Sequence, residues 1–224
     1  MRIHKLEKIA VRVTGNAEKF LNGLTSNTLD QPHNAFLNLH GRIIATFDQI
    51  KTAPDEFLLV ISPAAWGPLK DHTGKYARLN QTTVEPLPLN TYFDLDGNAL
   101  LEKGDVTVAQ KAGRLILTAR QLPQDVSPSE FTLFRLHYAI ALHGVDYQDE
   151  MVLNVDENAF VSFTKGCFLG QEPVAKVHNR AKPTWKLAVR YKDELPPPMQ
   201  EKMTSVCVDP QTSREKGFVF IPNT

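Results

Sequence analysis

The sequence predicts an α+β protein in which helices pack on one face of a mostly antiparallel sheet. Three observations lead there. Short apolar runs alternate with period two and are rich in β-branched residues, helices open on caps followed by proline, and glycine-bearing turns join neighbouring strands. At 224 residues the chain can bury a sizeable core. Its 25 basic and 25 acidic residues cancel, which argues against a bulk electrostatic grip on DNA or RNA and leaves only local patches. No apolar run approaches the roughly 20 residues that cross a bilayer. The opening stretch, MRIHKLEKIAVRV, lacks the apolar core and cleavage site of a secretory signal. These features predict a cytoplasmic chain with no membrane partner and no direct nucleic-acid partner.

Taken in order, Ile9 to Val13 alternates and reads as a strand. A helix follows, with Asn16 as N-cap, Glu18 in the first turn where a carboxylate complements the dipole, and Phe20, Leu21 and Leu24 as an apolar stripe. AFLNL (35–39) and Arg42 to Ile50 are strand-like and joined by His40-Gly41, a turn suited to a hairpin; EFLLVIS (56–62) continues the sheet. Ser62-Pro63 supplies a cap and a first-turn proline, predicting a helix from Ala64 towards Lys70, with TTVEPL (82–87) as the strand beyond. VTVAQ (106–110) and RLILTA (114–119) flank Lys111-Ala112-Gly113 as a second hairpin. Ser127 to Glu130 combines a capping box with proline at the first helical position, ahead of FTLFRLHYAIAL (131–142). Gly144 to Phe163 is irregular and acidic. A further helix spans Gln171 to His178, with Pro173 tolerated in its first turn because the leading N–H groups there have no helical partner. Trp185 to Tyr191, MTSVCV (203–208) and KGFVFI (216–221) are strands around a proline-rich connector. The expected organisation is a body over 1–183, divisible at about 1–90 and 91–183, and a short β module over 184–224.

Cys167 and Cys207 are too few for a disulfide framework and too isolated for a zinc or iron-sulfur site. Cys167 sits in TKGCFLGQEP (164–173), just before a helix N-terminus. Lys165 and that terminus both favour a thiolate. Gly166 and Gly170 allow unusual backbone conformations or close approach of a ligand, and Gln171 and Glu172 bring an amide and a carboxylate to the same place. The residues alone leave several readings open. Cys167 is a packing cysteine in a glycine-rich turn, a catalytic nucleophile with His178 or another histidine as base, or a metal ligand with His178 and Cys207, for which no local ligand pair exists.

The stretch Lys165 to Glu172 resembles the K-G-C-aromatic-x-G-Q-E signature of the YgfZ family, folate-binding relatives of the glycine-cleavage T-protein, an aminomethyltransferase. Glu18 to Thr28 resembles that family's first helix and loop, AFLNLHGRIIATF (35–47) its hairpin, and FRLHYAIALHGVDYQDE (134–150) its Arg-x-Glu-x-Gly-x-Pro-x-x-Gly segment. MTSVCVDP (203–210) is similar to the start of its closing β module, so anchors in the family's order cover most of the chain. The resemblance implies a T-protein-like arrangement of small α+β domains around a central opening, with tetrahydrofolate bound there. It further implies a part in assembly or repair of iron-sulfur clusters, and thereby in tRNA modification, with assembly or client proteins as partners. Cys167 becomes the functional centre with Lys165 beside it, and Phe131, Arg135, His137, Gly166, Gly170, Gln171 and Glu172 fall on the folate-binding side. Phe131 would stack on the ring and Arg135 would meet a ligand carboxylate. Two positions depart from the pattern. The acidic pair after the hairpin glycine of the aminomethyltransferases aligns with Ala45-Thr46, and the folate-holding glutamate aligns with His137. Without that acidic pair, transferase chemistry has no obvious acid-base group. Asp48 lies three residues beyond Ala45, on the opposite face of the strand. A folate-dependent aminomethyltransferase and a non-catalytic interaction protein on the same fold are the alternatives.

Overall fold

The computed structural model describes residues 1–180 and 182–223. Two strands, β1 (Ile3–Leu6) and β2 (Ile9–Thr14), lead into α1 (Ala17–Leu24). The hairpin of β3 (His33–Leu37) and β4 (Ile43–Ala53) follows, then β5 (Glu56–Ile61), α2 (Pro63–Asn80) and β6 (Thr83–Leu87). Next come β7 (Asn90–Asp94), β8 (Val106–Ala109), β9 (Arg114–Thr118) and α3 (Pro128–Tyr138). Two single-turn helices, α4 (Val152–Val155) and α5 (Glu157–Phe160), precede α6 (Gln171–Arg180). The chain closes with β10 (Trp185–Tyr191), α7 (Pro197–Gln200), β11 (Thr204–Val208) and β12 (Glu215–Pro222). Among the described residues no helix is long and apolar enough to cross a membrane.

The strands form three antiparallel sheets, ordered β3-β4-β5-β2-β6, β1-β7-β9-β8 and β10-β12-β11. The α+β expectation holds, with the strands divided among three sheets, the last of them the C-terminal β module. β5 explains why they pack so closely, because its apolar run is buried on both faces. Phe57, Leu59 and Ile61 meet α1 and α2 beside Phe20, Leu21 and Leu69, while Leu58 and Val60 meet Phe93, Leu115 and Leu117 of the second sheet. A third cluster, with Leu37, Ile43, Phe168 and Val174, ties the β3–β4 hairpin to the segment around α6, and Leu187 and Phe220 bring the last sheet against it.

Local differences from the sequence reading have tertiary causes. α2 runs on to Asn80 through Gly67, Pro68 and Gly74, because Ala65, Leu69 and Thr73 form one buried row at i, i+4 and i+8. Its Ser62 makes no side-chain cap. At α3 the capping box forms as read, but the helix stops at Tyr138, with Ala139 left-handed at φ 51°. The apolar run beyond it is captured instead by Asp146, whose carboxylate accepts the Leu142 N–H at 2.8 Å. β1 and β7 escape sequence reading because each is short and carries polar residues. They exist through pairing with each other, Ile3 opposite Asp94 and Leu6 opposite Thr91.

Candidate functional site

A cavity of about 140 Å³ lies where the three sheets come together. Alternation along β4 builds one wall. Ala45 and Phe47 enter the core beneath the helices, so Thr46 and Asp48 turn the other way, into the cavity. His33 stands directly opposite Asp48 in the β3–β4 ladder, and its Nδ1 lies 2.9 Å from Asp48 Oδ1. Gln110, from the β8–β9 turn, donates to the same oxygen at 2.9 Å. Lys8, between β1 and β2, completes the polar side.

The electrostatics follow from enclosure. Burial pushes the Asp48 carboxyl upward, but the His33 hydrogen bond and charge, Lys8 and Gln110 outweigh it, so the group sits below the ordinary carboxylate range and is ionised. Burial lowers the Lys8 ammonium; Asp48 opposes that and Arg135 adds to it. Behind them His143 is pushed down to about 4 by burial and by the Lys8 charge, so it is neutral at pH 7. Its Nδ1 lies 3.4 Å from the Thr46 N–H, and the Thr46 hydroxyl is 2.7 Å from the Tyr147 hydroxyl. Thr46 therefore replaces part of the family's acidic pair with a neutral, engaged group.

The cysteine loop lies at the start of α6. Cys167 is exposed to solvent and is not among the residues lining the cavity. Lys165 does not reach for the thiol. Its ammonium donates to the carbonyls of Thr25 at 2.6 Å and Asn27 at 2.8 Å, and burial brings it down to about 8. It clamps the loop to the segment after α1, so the expected thiolate-favouring ammonium is engaged elsewhere. Phe168 is buried, anchoring the loop from the other side. Asn27 also donates to the carbonyls of His33 and Ala159, so the clamp is continuous with the cavity wall. Gly170, at φ 84°, runs so close to Asn38 that a Cβ would lie 2.3 Å from its carbonyl oxygen. Gly166 has no such neighbour. Gln171 is half-buried and Glu172 exposed at the helix start.

The residues assigned to folate by resemblance fall elsewhere. Phe131 is buried core, stacked on His4 at 4.3 Å between ring centroids and tilted against Phe93. Arg135 is buried and committed: it donates to Asp146 at 2.7 Å, to the Ile140 carbonyl at 3.2 Å and to Ser205 at 2.7 Å. His137 is exposed on the outer side of α3, beside Arg190 and Glu194 of the last sheet's surroundings. None of the three lines the cavity. The groups that do, Asp48, His33, Gln110 and Lys8, were missed. Asp48 had a signal, since period two places it on the face of Thr46, an aligned family position. His33, Gln110 and Lys8 reach it only through tertiary structure.

A tetrahydrofolate ring finds suitable chemistry here. One oxygen of an ionised carboxylate and a lysine ammonium face the space, and Phe160, Leu187 and Phe218 supply apolar wall. A cavity of about 150 Å³ holds one benzene ring, so this one, at about 140 Å³, encloses about one of the two fused rings of a pterin and leaves the second ring and the remainder of a folate outside.

No family model matches the chain. The crystal structure of glycine cleavage system aminomethyltransferase T from Bartonella henselae superposes with a TM-score of 0.75 over 98% of this chain and 78% of that one, at 16% identity. The fold is thus that of an aminomethyltransferase T. In sequence, the chain is 30% identical over 233 aligned positions to the human mitochondrial iron-sulfur cluster assembly factor IBA57, covering 83% of this chain and 65% of that protein. The mouse protein of the same name is 28% identical over 75% of this chain and 60% of its own length. The chain therefore spans somewhat less than two thirds of these curated relatives. In both sequence and fold the chain is similar to the YgfZ and T-protein-like family that its motifs resemble.

Proposed function

We propose that the protein is an accessory factor in the assembly or repair of iron-sulfur clusters, acting on assembly or client proteins through Cys167. The observation that carries this reading is the solvent-open thiol on a loop pinned by Lys165 and Phe168, within the family's own signature. Such a thiol is presented to a partner without being mobile on its tether, which suits contact with a cluster or a second sulfur. The names of the human and mouse relatives support the same role. Among the clients we include enzymes that modify tRNA, and a cytoplasmic setting remains part of the proposal, whereas the named relatives are mitochondrial.

Tetrahydrofolate belongs to the proposal as the cavity's ligand. When bound it supplies a carrier for one-carbon units; Asp48, Lys8 and the apolar wall would hold its ring. Transferase chemistry is not favoured, because Thr46 offers a hydroxyl engaged by Tyr147 where the aminomethyltransferases carry an acid. The test is complementation of cells lacking this protein. Cys167→Ala should fold as the wild type does and leave a cluster-dependent enzyme at the activity seen without the protein; full restoration of that enzyme would refute the role assigned to the thiol.

A further inference from the structure

The cavity is lined by one carboxylate oxygen and one ammonium that make no hydrogen bond or ion pair among the described residues. Asp48 Oδ1 is occupied by His33 and Gln110, while Oδ2 has no hydrogen-bond or ion-pair partner among the described residues. Lys8 lines the same space and its ammonium likewise makes no hydrogen bond or ion pair among them. The neighbouring pair, Lys111 with Asp156 at 2.7 Å, is closed on itself. A half-buried carboxylate oxygen and a half-buried ammonium that line one cavity are complemented by a ligand offering a donor to the first and an acceptor to the second. A purely anionic ligand would satisfy Lys8 and be repelled by Asp48, and a purely cationic one would do the reverse. A neutral group carrying N–H donors next to a carbonyl acceptor answers both. Apolar walls and room for about one ring add that this group is part of a flat heterocycle.

We propose that Asp48, held in place by His33 and Gln110, grips the N–H edge of the cavity's ligand while Lys8 meets its carbonyl, so that this chain reads the 2-amino-4-oxo edge of a pterin ring. The proposal rests on the folate reading and gives it residues that the resemblance did not supply. The anchoring carboxylate lies on β4, two residues beyond Thr46, and has moved off α3, where His137 faces outward. His33 and Gln110 are positioning residues: they fix one oxygen of Asp48 and leave the other to the ligand.

Isothermal titration of the purified protein with tetrahydrofolate under anaerobic conditions tests this, alongside Asp48→Asn, Lys8→Met and His137→Ala. Asp48→Asn changes little in shape and should weaken binding about tenfold or more, the worth of one hydrogen bond to a charged group. Lys8→Met should weaken it too, and His137→Ala should bind as the wild type does. In competition, 6-methyltetrahydropterin, the ring alone, should displace the ligand, and p-aminobenzoylglutamate, the tail alone, should not. Wild-type affinity in a folded Asp48→Asn or Lys8→Met protein, or displacement by the tail and not the ring, overturns the assignment while the folate reading survives. Absence of any binding by the wild type overturns the folate reading and this assignment with it.

Discussion

His143 shows how far the environment of one residue sets its chemistry. Burial among Tyr147, Thr46 and the cavity wall holds it down to about 4, whereas the unfolded chain titrates near 6.5. Between those values the unfolded state binds more protons than the folded one, so stability falls as pH drops through that window. Wild-type protein should lose about 3 kcal/mol from this group between pH 6.5 and 4. Denaturant unfolding across that range should show a distinctly flatter profile for His143→Gln; an equal slope in both proteins would mean that the imidazole is not the titrating group. Sequence could not reveal this. Seven histidines look alike in a string, and only the fold buries this one against Tyr147 and engages His33 with Asp48. Cys167 was different, because its glycine-flanked, Lys-preceded setting is written locally and the exposed thiol lies where that setting put it, just ahead of α6.

At the level of elements, what was legible is what local chemistry decides. The capping box at Ser127 forms, α6 begins at Gln171 with Pro173 in its first turn, and the β3–β4 hairpin turns at Gly41 with φ 72°. What stayed hidden depends on distant partners: the extra turns of α2, the early stop of α3 and the β1–β7 pairing. The cysteine loop lies between these cases. Its glycines are visible in sequence, but only the fold shows that Gly170 packs against Asn38 and that Lys165 clamps Thr25 and Asn27. Gly170→Ala therefore meets both a left-handed φ of 84° and a Cβ position 2.3 Å from a carbonyl. It should destabilise by at least about 2 kcal/mol in denaturant unfolding, and a loss under about 0.5 kcal/mol, typical of an unconstrained surface position, would contradict the close packing.

Over the whole molecule, three sheets enclose one cavity, and the last of them is tied in by a buried charge pair. Arg135 of α3 donates to Asp146 and to Ser205, while Thr204 and Ser205 of β11 donate to the other Asp146 oxygen. Asp146→Asn leaves the guanidinium buried without its counter-charge, and should cost about 3–5 kcal/mol in equilibrium unfolding; a change near zero would show the last sheet to be docked by apolar contact alone. This same pair explains why Arg135 serves the architecture where resemblance suggested a ligand contact. The arrangement leaves the thiol of Cys167 outside, on a pinned loop, and the cavity inside, joined through Asn27 and the His33 and Ala159 carbonyls. The most direct test compares the two cysteines in cells lacking the protein, reading the activity of a cluster-dependent enzyme after expression of Cys167→Ala or Cys207→Ala at matched levels. The account predicts that Cys207→Ala restores that activity and Cys167→Ala does not; equal restoration by both would contradict it.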